Sequence, residues 1–281
     1  MAGGVAAVAG APGGAGRVRW ALLDALTVAR RNLIRFTRLP GALFFSTVQP
    51  VMFVLLFRYI FGGAIGIFTA AHHLSYVNYL VPGIYVQTVA FGSVSTSVGL
   101  AEDLQRGLLE RFRALPMARS AVLAGRTTAD LVRNLAAVAI ITAVGYAVGF
   151  RIGAGVAEFL AGVAVVLLFA YTLSWGFAAV GLSAPDSETA QVMSFPLLFP
   201  LTFASSAFVP VATMPSWLRG FAARQPVSAV INAARALMDG PHAAQLAGAS
   251  TGSLTLVALS WCLGILAVVV PLSIWRYRSR L

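Results

Sequence analysis

The chain has 281 residues, of which 59% are hydrophobic and only 10% are charged, and its mean hydropathy is +0.84. Soluble domains usually carry about 25% charged residues, so a water-soluble globule is excluded and a lipid-facing surface is indicated. The formal net charge of +11 does not indicate a nucleic-acid partner, because the basic residues lie between long apolar runs and act there as topology signals.

Every basic residue is an arginine, and the chain has a single cysteine, Cys262. A phosphate-binding P-loop requires a lysine, so this chain cannot hold ATP in such a loop. One cysteine excludes an intrachain disulfide and a cysteine metal cluster. The exclusive use of arginine suggests a GC-rich bacterial genome, such as that of an actinobacterium.

The amino-terminal part is predicted to lie outside the membrane-spanning domain. Residues 1–16 are rich in Gly and Ala and are predicted to be a disordered tail. Residues 17–40 mix apolar residues with arginines, a pattern typical of a basic amphipathic helix on the inner leaflet. The apolar positions of this helix are Leu22, Leu23, Leu26, Ile34 and Phe36.

Residues 41–281 are predicted to form a transmembrane domain of six helices. A helix needs roughly 20 mainly apolar residues to cross a bilayer. The runs that fit are 42–61, 77–100, 134–150, 159–182, 192–211 and 254–274. With both termini cytosolic, most arginines fall on the inner side, as the positive-inside rule requires. The predicted fold class is therefore an all-α, multi-pass protein of the plasma membrane.

The connection between spans five and six is predicted to contain short helices at the outer face. Residues 215–239 are moderately apolar but too interrupted to cross the membrane. Thr213 or Ser216 is a candidate cap for the start of a helix, and Gly240 is a candidate stop. A surface amphipathic helix without a functional role is the alternative interpretation.

The ionisable residues give no sign of catalysis or metal binding. None of the nine acidic residues is placed near the bilayer centre, which argues against proton coupling and against a hydrolase with paired carboxylates. His72, His73 and His242 share the outer side, but the sequence places no carboxylate beside them. We therefore predict no catalytic residues and no metal site.

Hydroxyl side chains are concentrated in spans two and five. The candidates for lining a substrate path are Ser93, Thr96, Thr202 and Ser205. The alternative is that these small residues serve close helix packing and bond to backbone carbonyls.

The segment 101–133 is predicted to be cytosolic and to form two short amphipathic helices separated at Pro116. Glu102 and Arg106 are four residues apart, a spacing that supports ion pairing on one helix face. Alternating charged and apolar residues suit docking on a partner protein. A solvated connecting loop is the alternative.

Two blocks of the sequence resemble the ABC type-2 exporter permeases, particularly the daunorubicin/doxorubicin-resistance permease group. One block comprises Val81-Pro-Gly-Ile84, Ala101-Glu-Asp103, Gly107, Glu110-Arg111, Leu115-Pro116, Gly125-Arg126 and Asp130. A second block comprises Ser205-Ser-Ala-Phe-Val-Pro210, Met214-Pro-Ser-Trp-Leu218, Gln225-Pro-Val227 and Arg235-Ala-Leu237. The resemblance covers about residues 20–281. Leu104 departs from the pattern, since many relatives have a basic residue after the aspartate.

The resemblance implies a non-catalytic permease that works as a pair, most simply a homodimer, with separate ABC ATP-binding subunits that use ATP and Mg²⁺. It implies that the ATPase-coupling region includes Glu102, Asp103, Arg106, Gly107, Glu110, Arg111 and Pro116. The loop 183–188 would be a second ATPase contact. The substrate path would run between the paired subunits, near spans one, two and five.

We therefore expect efflux of an amphiphilic drug, natural product or lipid from the cell, with no cofactor bound by this chain, since the spans offer almost no charge to an ionic solute. Export of a polysaccharide or glycolipid by the same machinery is one alternative. A secondary transporter or channel that needs no ATPase is another, and a membrane-bound transferase is a third.

Overall fold

The computed structural model describes residues 40–71, 73–107 and 119–279, so the predicted tail and nearly all of the predicted interface helix lie outside it. Within these residues the chain is helical and contains no strand. The helices are α1 Pro40–Leu56, α2 Gly62–Ala70, α3 Tyr76–Gln105, α4 Arg119–Val148, α5 Val156–Ser183, α6 Ser187–Phe203, α7 Ser216–Arg224, α8 Pro226–Asp239, α9 Pro241–Leu246 and α10 Thr251–Ser279. A π-helical turn joins α1 to α2.

Among the described residues, five helical stretches are long and apolar enough to cross a membrane. They are Val48–Ile67, Tyr76–Gln105, Gly125–Val148, Val156–Ser183 and Thr251–Tyr277. These stretches overlap predicted spans one, two, three, four and six, and the prediction of long apolar helices there is confirmed. The third of these stretches begins at Gly125, earlier than the predicted start at residue 134. It therefore includes the charged residues Arg126, Asp130 and Arg133.

The helix α3 lies at the centre of the bundle, where it contacts α1, α4, α5, α6 and α8. Its start is capped by Ser75, whose hydroxyl oxygen accepts a hydrogen bond from the Asn78 N–H at 3.2 Å. Close packing depends on glycine, since a Cβ at Gly83 would overlap the backbone of Ala207, and one at Gly181 of α5 would overlap that of Ser97.

The fifth predicted span, 192–211, is not one continuous helix. The helix α6 begins at Ser187 and ends at Phe203, and residues 204–210 follow as irregular chain. The hydroxyl of Ser205 accepts from the Ala207 N–H at 3.2 Å, a local turn that competes with helix continuation.

Three short α-helices follow the break, so the prediction of short helices in this part of the chain is confirmed. Their place at the outer face stays a prediction. Gly240 ends α8 with a φ of 83°, the left-handed conformation expected of a stop glycine. The predicted start caps are wrong, because Pro215 precedes α7 and no side chain caps that helix. The helix α8 is largely buried, and it packs against α3, α5 and α10.

Candidate functional site

A buried ion pair joins the carboxyl-terminal end of α3 to the first turns of α4. Arg126 Nη1 donates to Asp103 Oδ2 at 2.7 Å, and the two side chains are only 14% and 5% exposed. Arg126 lies so close to Gly99 that a Cβ there would overlap its guanidinium group. Loss of either charged partner would leave a buried charge uncompensated, so the pair is costly to break.

Two further polar contacts follow along the same pair of helices. The hydroxyl of Thr96 donates a short hydrogen bond to Asp130 Oδ2. Arg133 Nη1 lies 3.1 Å from Asp130 Oδ1, and Arg133 Nη2 donates to the Gly92 carbonyl at 2.7 Å. We call the residues of these contacts the polar ladder: Gly92, Thr96, Gly99 and Asp103 of α3 with Arg126, Asp130 and Arg133 of α4.

Sequence reasoning does not predict the ladder, because it treats Arg126 and Arg133 as topology signals and places Asp130 in a cytosolic segment. A signal was present, since the ladder residues of each helix recur every three or four positions and so share one helix face. Matching the polar stripe of α4 to the glycine- and hydroxyl-containing stripe of α3 would have paired the two helices.

The turn between α5 and α6 lies beside the same end of α3. Ala184 of this turn packs with Ala101 and Ala190. Asp186 caps α6, with its Oδ1 accepting from the Thr189 N–H at 2.6 Å, and this hydrogen bond holds the pKa of Asp186 below its ordinary value. The structure thus brings together two segments for which the resemblance implied an ATPase contact.

The residues predicted for ATPase coupling lie partly within the described chain. Glu102 and Arg106 form an ion pair at 3.7 Å, with side chains 30% and 59% exposed. Asp103 is buried in the polar ladder, and Gly107 follows α3 with a φ of 62°. Glu110, Arg111 and Pro116 lie outside the described residues. The coupling role of all seven residues stays a prediction.

The four residues predicted to line a substrate path are all buried. Ser93 donates to the Ala90 carbonyl at 2.5 Å, Thr202 donates to Leu198 O at 2.8 Å, and Ser205 donates to Thr202 O at 2.5 Å. Thr96 belongs to the polar ladder. Their hydroxyls are engaged within the bundle of this chain, and their role in a path stays a prediction.

A second buried charged side chain binds the irregular residues that follow α6. Arg235 of α8 is 2% exposed; its Nε donates to Tyr79 O at 3.0 Å, and its Nη2 donates to Ser206 O at 2.9 Å. Ser206 O also accepts from the Tyr79 hydroxyl at 2.9 Å, and the Ser206 N–H donates to Ser228 Oγ at 3.0 Å. The irregular backbone therefore finds protein partners where a membrane would offer none.

Gln225, which precedes α8, supports the same segment, since its Nε2 donates to Leu201 O at 2.7 Å and to Ala204 O at 2.8 Å. Sequence reasoning placed Arg235 in an outer loop and missed this role. Its spacing from Asn232 and Ser228 on one helix face was the available signal.

A buried carboxyl group ends α8. Asp239 Oδ1 accepts from Asn78 Nδ2 at 2.7 Å, and the same amide nitrogen donates to Arg151 O at 2.8 Å. The other oxygen, Oδ2, has no hydrogen-bond partner among the described residues. Burial raises the pKa of Asp239 to about 7, against the opposing effects of the Asn78 hydrogen bond and the Arg235 charge.

The rings of His73 and His242 lie 5.6 Å apart, while His72 is outside the described residues. Among the described residues, no group of three or more metal-binding side chains is present. The prediction that this chain holds no metal stays a prediction.

Known proteins match this chain along most of its length. The sequence profile of the ABC-2 type transporter family matches residues 24–238. The daunorubicin resistance ABC transporter permease protein DrrB1 of Streptomyces coeruleorubidus is 33% identical over 257 residues, covering 91% of this chain and 86% of the relative. The probable doxorubicin resistance ABC transporter permease protein DrrC of Mycobacterium tuberculosis is 27% identical over 271 residues, covering 95% and 93%.

A more distant relative is the putative transport permease ycf38 of Cyanophora paradoxa, 25% identical over 242 residues, or 84% of this chain and 81% of the relative. The family profile includes the polar ladder, the break after α6 and almost all of α8. The apolar helices, the profile and the relatives agree, and this chain belongs to the ABC-2 type transporter family of membrane permeases.

Proposed function

We propose that this chain is the membrane-spanning subunit of an ATP-driven exporter whose ATP is hydrolysed by a separate ATP-binding subunit. Membership of the ABC-2 family implies such a partner. The observation that carries the proposal is that three segments lie together: the end of α3, the start of α4 and the turn before α6. Asp103 of α3 contacts Arg126 of α4, and Ala101 of α3 packs with Ala184 of the turn. A site built from three elements gives a docked ATPase a firm contact with several helices at once.

Six crossings with both termini cytosolic complete the proposal. The helix α6 has 17 residues and is about 25 Å long at 1.5 Å per residue, against a hydrocarbon core about 30 Å thick. The irregular residues 204–210, held by Arg235 and Gln225, supply the rest of the crossing. Two copies of the chain pair around the substrate path.

The proposed substrate is an amphiphilic drug, natural product or lipid. Two relatives carry daunorubicin or doxorubicin resistance in their names, and both compounds are suitable first probes. Within the crossing helices the ladder charges are bound to one another, so an ionic solute would find few free charges to complement its own. ATP and Mg²⁺ act in the partner subunit.

The experiment is uptake of daunorubicin into inverted membrane vesicles that contain this chain and the ATP-binding subunit that co-purifies with it. We expect uptake that requires ATP and stops when the catalytic carboxylate of the ATPase is removed. Vesicles with the ATPase alone are the control. Uptake without any ATPase, driven by an ion gradient, would instead establish a secondary transporter.

A range of amphiphiles, including a lipid and a glycolipid, is then compared under the same conditions. We expect ATP-dependent uptake of at least one drug or lipid probe. Transport of the glycolipid alone would replace the proposed substrate class while keeping the ATP-driven mechanism.

A further inference from the structure

The ion pair between Asp103 of α3 and Arg126 of α4 joins the two helices on either side of residues 104–125. Asp103 lies where α3 leaves the bundle, and Arg126 lies where α4 returns to it, so the two residues bracket residues 104–125. That intervening chain contains most of the predicted ATPase-coupling residues. A force applied to the segment therefore reaches both helices through one short contact.

The remaining ladder contacts fix the register of the two helices beyond this clamp. The contact of Thr96 with Asp130 lies about two turns from Asp103 on α3 and about one turn from Arg126 on α4. The contact of Gly92 with Arg133 lies about three turns from Asp103 on α3 and about two turns from Arg126 on α4. A slide of one helix past the other by one turn would separate all of these partners together. The inner halves of α3 and α4 are thus constrained to move as one body.

The ladder brings charges of opposite sign into direct contact. Two aspartates, Asp103 and Asp130, face two arginines, Arg126 and Arg133. A neutral set of buried charges is tolerated, whereas removal of one member leaves a net charge between the helices. This arrangement disfavours a state in which only one of the helices has moved.

We infer that Arg126 is a positioning residue for coupling: it holds α3 and α4 together at the base of residues 104–125, so that ATPase movement displaces both helices as a unit. The inference rests on the proposed function. From α3 the displacement passes to α5, α6 and α8, which all pack against it. Without the clamp, the ATPase still turns over, but its movement no longer displaces α3 and α4 together.

The experiment measures ATP hydrolysis and daunorubicin uptake together in proteoliposomes containing the complete complex. Arg126→Ala removes the clamp directly. Gly99→Ala keeps every charge, but its methyl group displaces the Arg126 guanidinium from α3. Gly176→Ala is the matched control, because that glycine is also within a membrane helix and its Cβ would meet only Val269 Cγ1, at 3.9 Å.

We expect Arg126→Ala and Gly99→Ala to lower uptake per ATP hydrolysed about tenfold while the hydrolysis rate stays within about twofold of wild type. Gly176→Ala keeps the wild-type ratio. An unchanged ratio in Gly99→Ala, or uptake and hydrolysis that fall together, overturns the inference. If Arg126→Ala does not assemble, Gly99→Ala decides alone.

The wild-type arm separates this inference from the proposed function. If the wild-type complex shows no ATP-dependent uptake of any amphiphile probe, the proposed function fails. If wild type couples ATP hydrolysis to uptake and the ladder variants couple equally well, only the assignment of Arg126 fails.

Discussion

The guanidinium carbon of Arg235 lies 3.6 Å from the centre of the Tyr79 ring, so a charge from α8 rests on an aromatic face of α3. The same two side chains converge on one acceptor, the carbonyl of Ser206. This relationship ties α3, α8 and the irregular residues 204–210 into one unit.

Replacement of Arg235 by lysine should destabilise this unit. A lysine keeps the charge but cannot donate to both Tyr79 O and Ser206 O with the geometry of a guanidinium group. We expect Arg235→Lys to cost about 2–3 kcal/mol, because at least one of the two buried, charge-assisted hydrogen bonds of the guanidinium group is lost. The measurement is thermal unfolding of the purified protein in detergent, followed by fluorescence-detected gel filtration.

Arg219→Lys is the matched control for that measurement. Arg219 also donates to two backbone carbonyls, Ala212 O at 2.9 Å and Met214 O at 3.1 Å, but it does so at the surface. We expect a change within about 0.5 kcal/mol. Equal losses of stability in the two variants would show that burial is not what makes Arg235 important.

The stability of this unit of α3, α8 and residues 204–210 should depend on pH through Asp239. Its pKa is raised from 3.8 to about 7 in the folded protein, so the folded state binds the proton more tightly than the unfolded chain. The resulting stabilisation is fully present below about pH 4 and is lost as pH rises through about 7, with a slope of at most about 1.4 kcal/mol per pH unit.

Asp239→Asn should remove this dependence while keeping an oxygen for Asn78. We expect the wild-type melting temperature to fall relative to that of the variant between pH 5 and pH 8. The measurement is a series of melting curves for both proteins across that range. Parallel curves would mean that Asp239 does not bind the proton as its burial requires.

Close packing of α5 on α3 should make Gly181 intolerant of a side chain. A Cβ there would overlap the Ser97 backbone, which cannot move as a flexible side chain does. We expect Gly181→Ala to cost about 1–3 kcal/mol, measured as a lower melting temperature. Gly176→Ala on the same helix meets only ordinary contact and should be neutral or slightly stabilising. Identical melting temperatures would contradict the packing.

Cysteine labelling should decide whether α6 crosses the membrane. The native Cys262 is buried and is replaced by alanine for this purpose. Arg106 and Trp217 have side chains 59% and 79% exposed, and α4, α5 and α6 separate them along the chain. If all three helices cross, these two positions lie on opposite sides.

We therefore expect an impermeant maleimide to label Trp217→Cys in intact cells and Arg106→Cys only after the cells are opened. The cysteine-free protein gives the background signal. Labelling of both positions from the same side would show that α6 turns back within the membrane.

Hydropathy was sufficient to predict the long helices, because length and apolar content determine whether a helix can cross a bilayer. The family resemblance predicts that ATPase coupling involves Glu102 and Asp103, which lie at the end of α3, and this role stays a prediction. Hydropathy did not reveal that Asp130 and Arg133 lie within an apolar helix, since their charges are tolerated only through partners on α3. Arg235 was missed for the same reason: its donors are satisfied by carbonyls far away in sequence.

The sequence predicts that the helix α6 is disturbed but not that it ends before residue 204. The sequence predicts a disturbed helix because it contains Pro196, Pro200 and Pro210. The residue at which the helix ends, however, depends on which side chains donate hydrogen bonds to the carbonyls that the helix leaves free. Gln225 and Arg235 donate these hydrogen bonds, and they reach the carbonyls only once α8 is folded into the bundle.

The buried position of α8 imposes an order on biosynthesis. Synthesis proceeds from the amino terminus, so the pocket for α8 is lined by α3 and α5, which are made earlier, and by α10, which is made later. This pocket therefore cannot close until α10 has been made. Truncation before α10 would remove one wall of the pocket and expose the apolar side chains of α8 that pack against it.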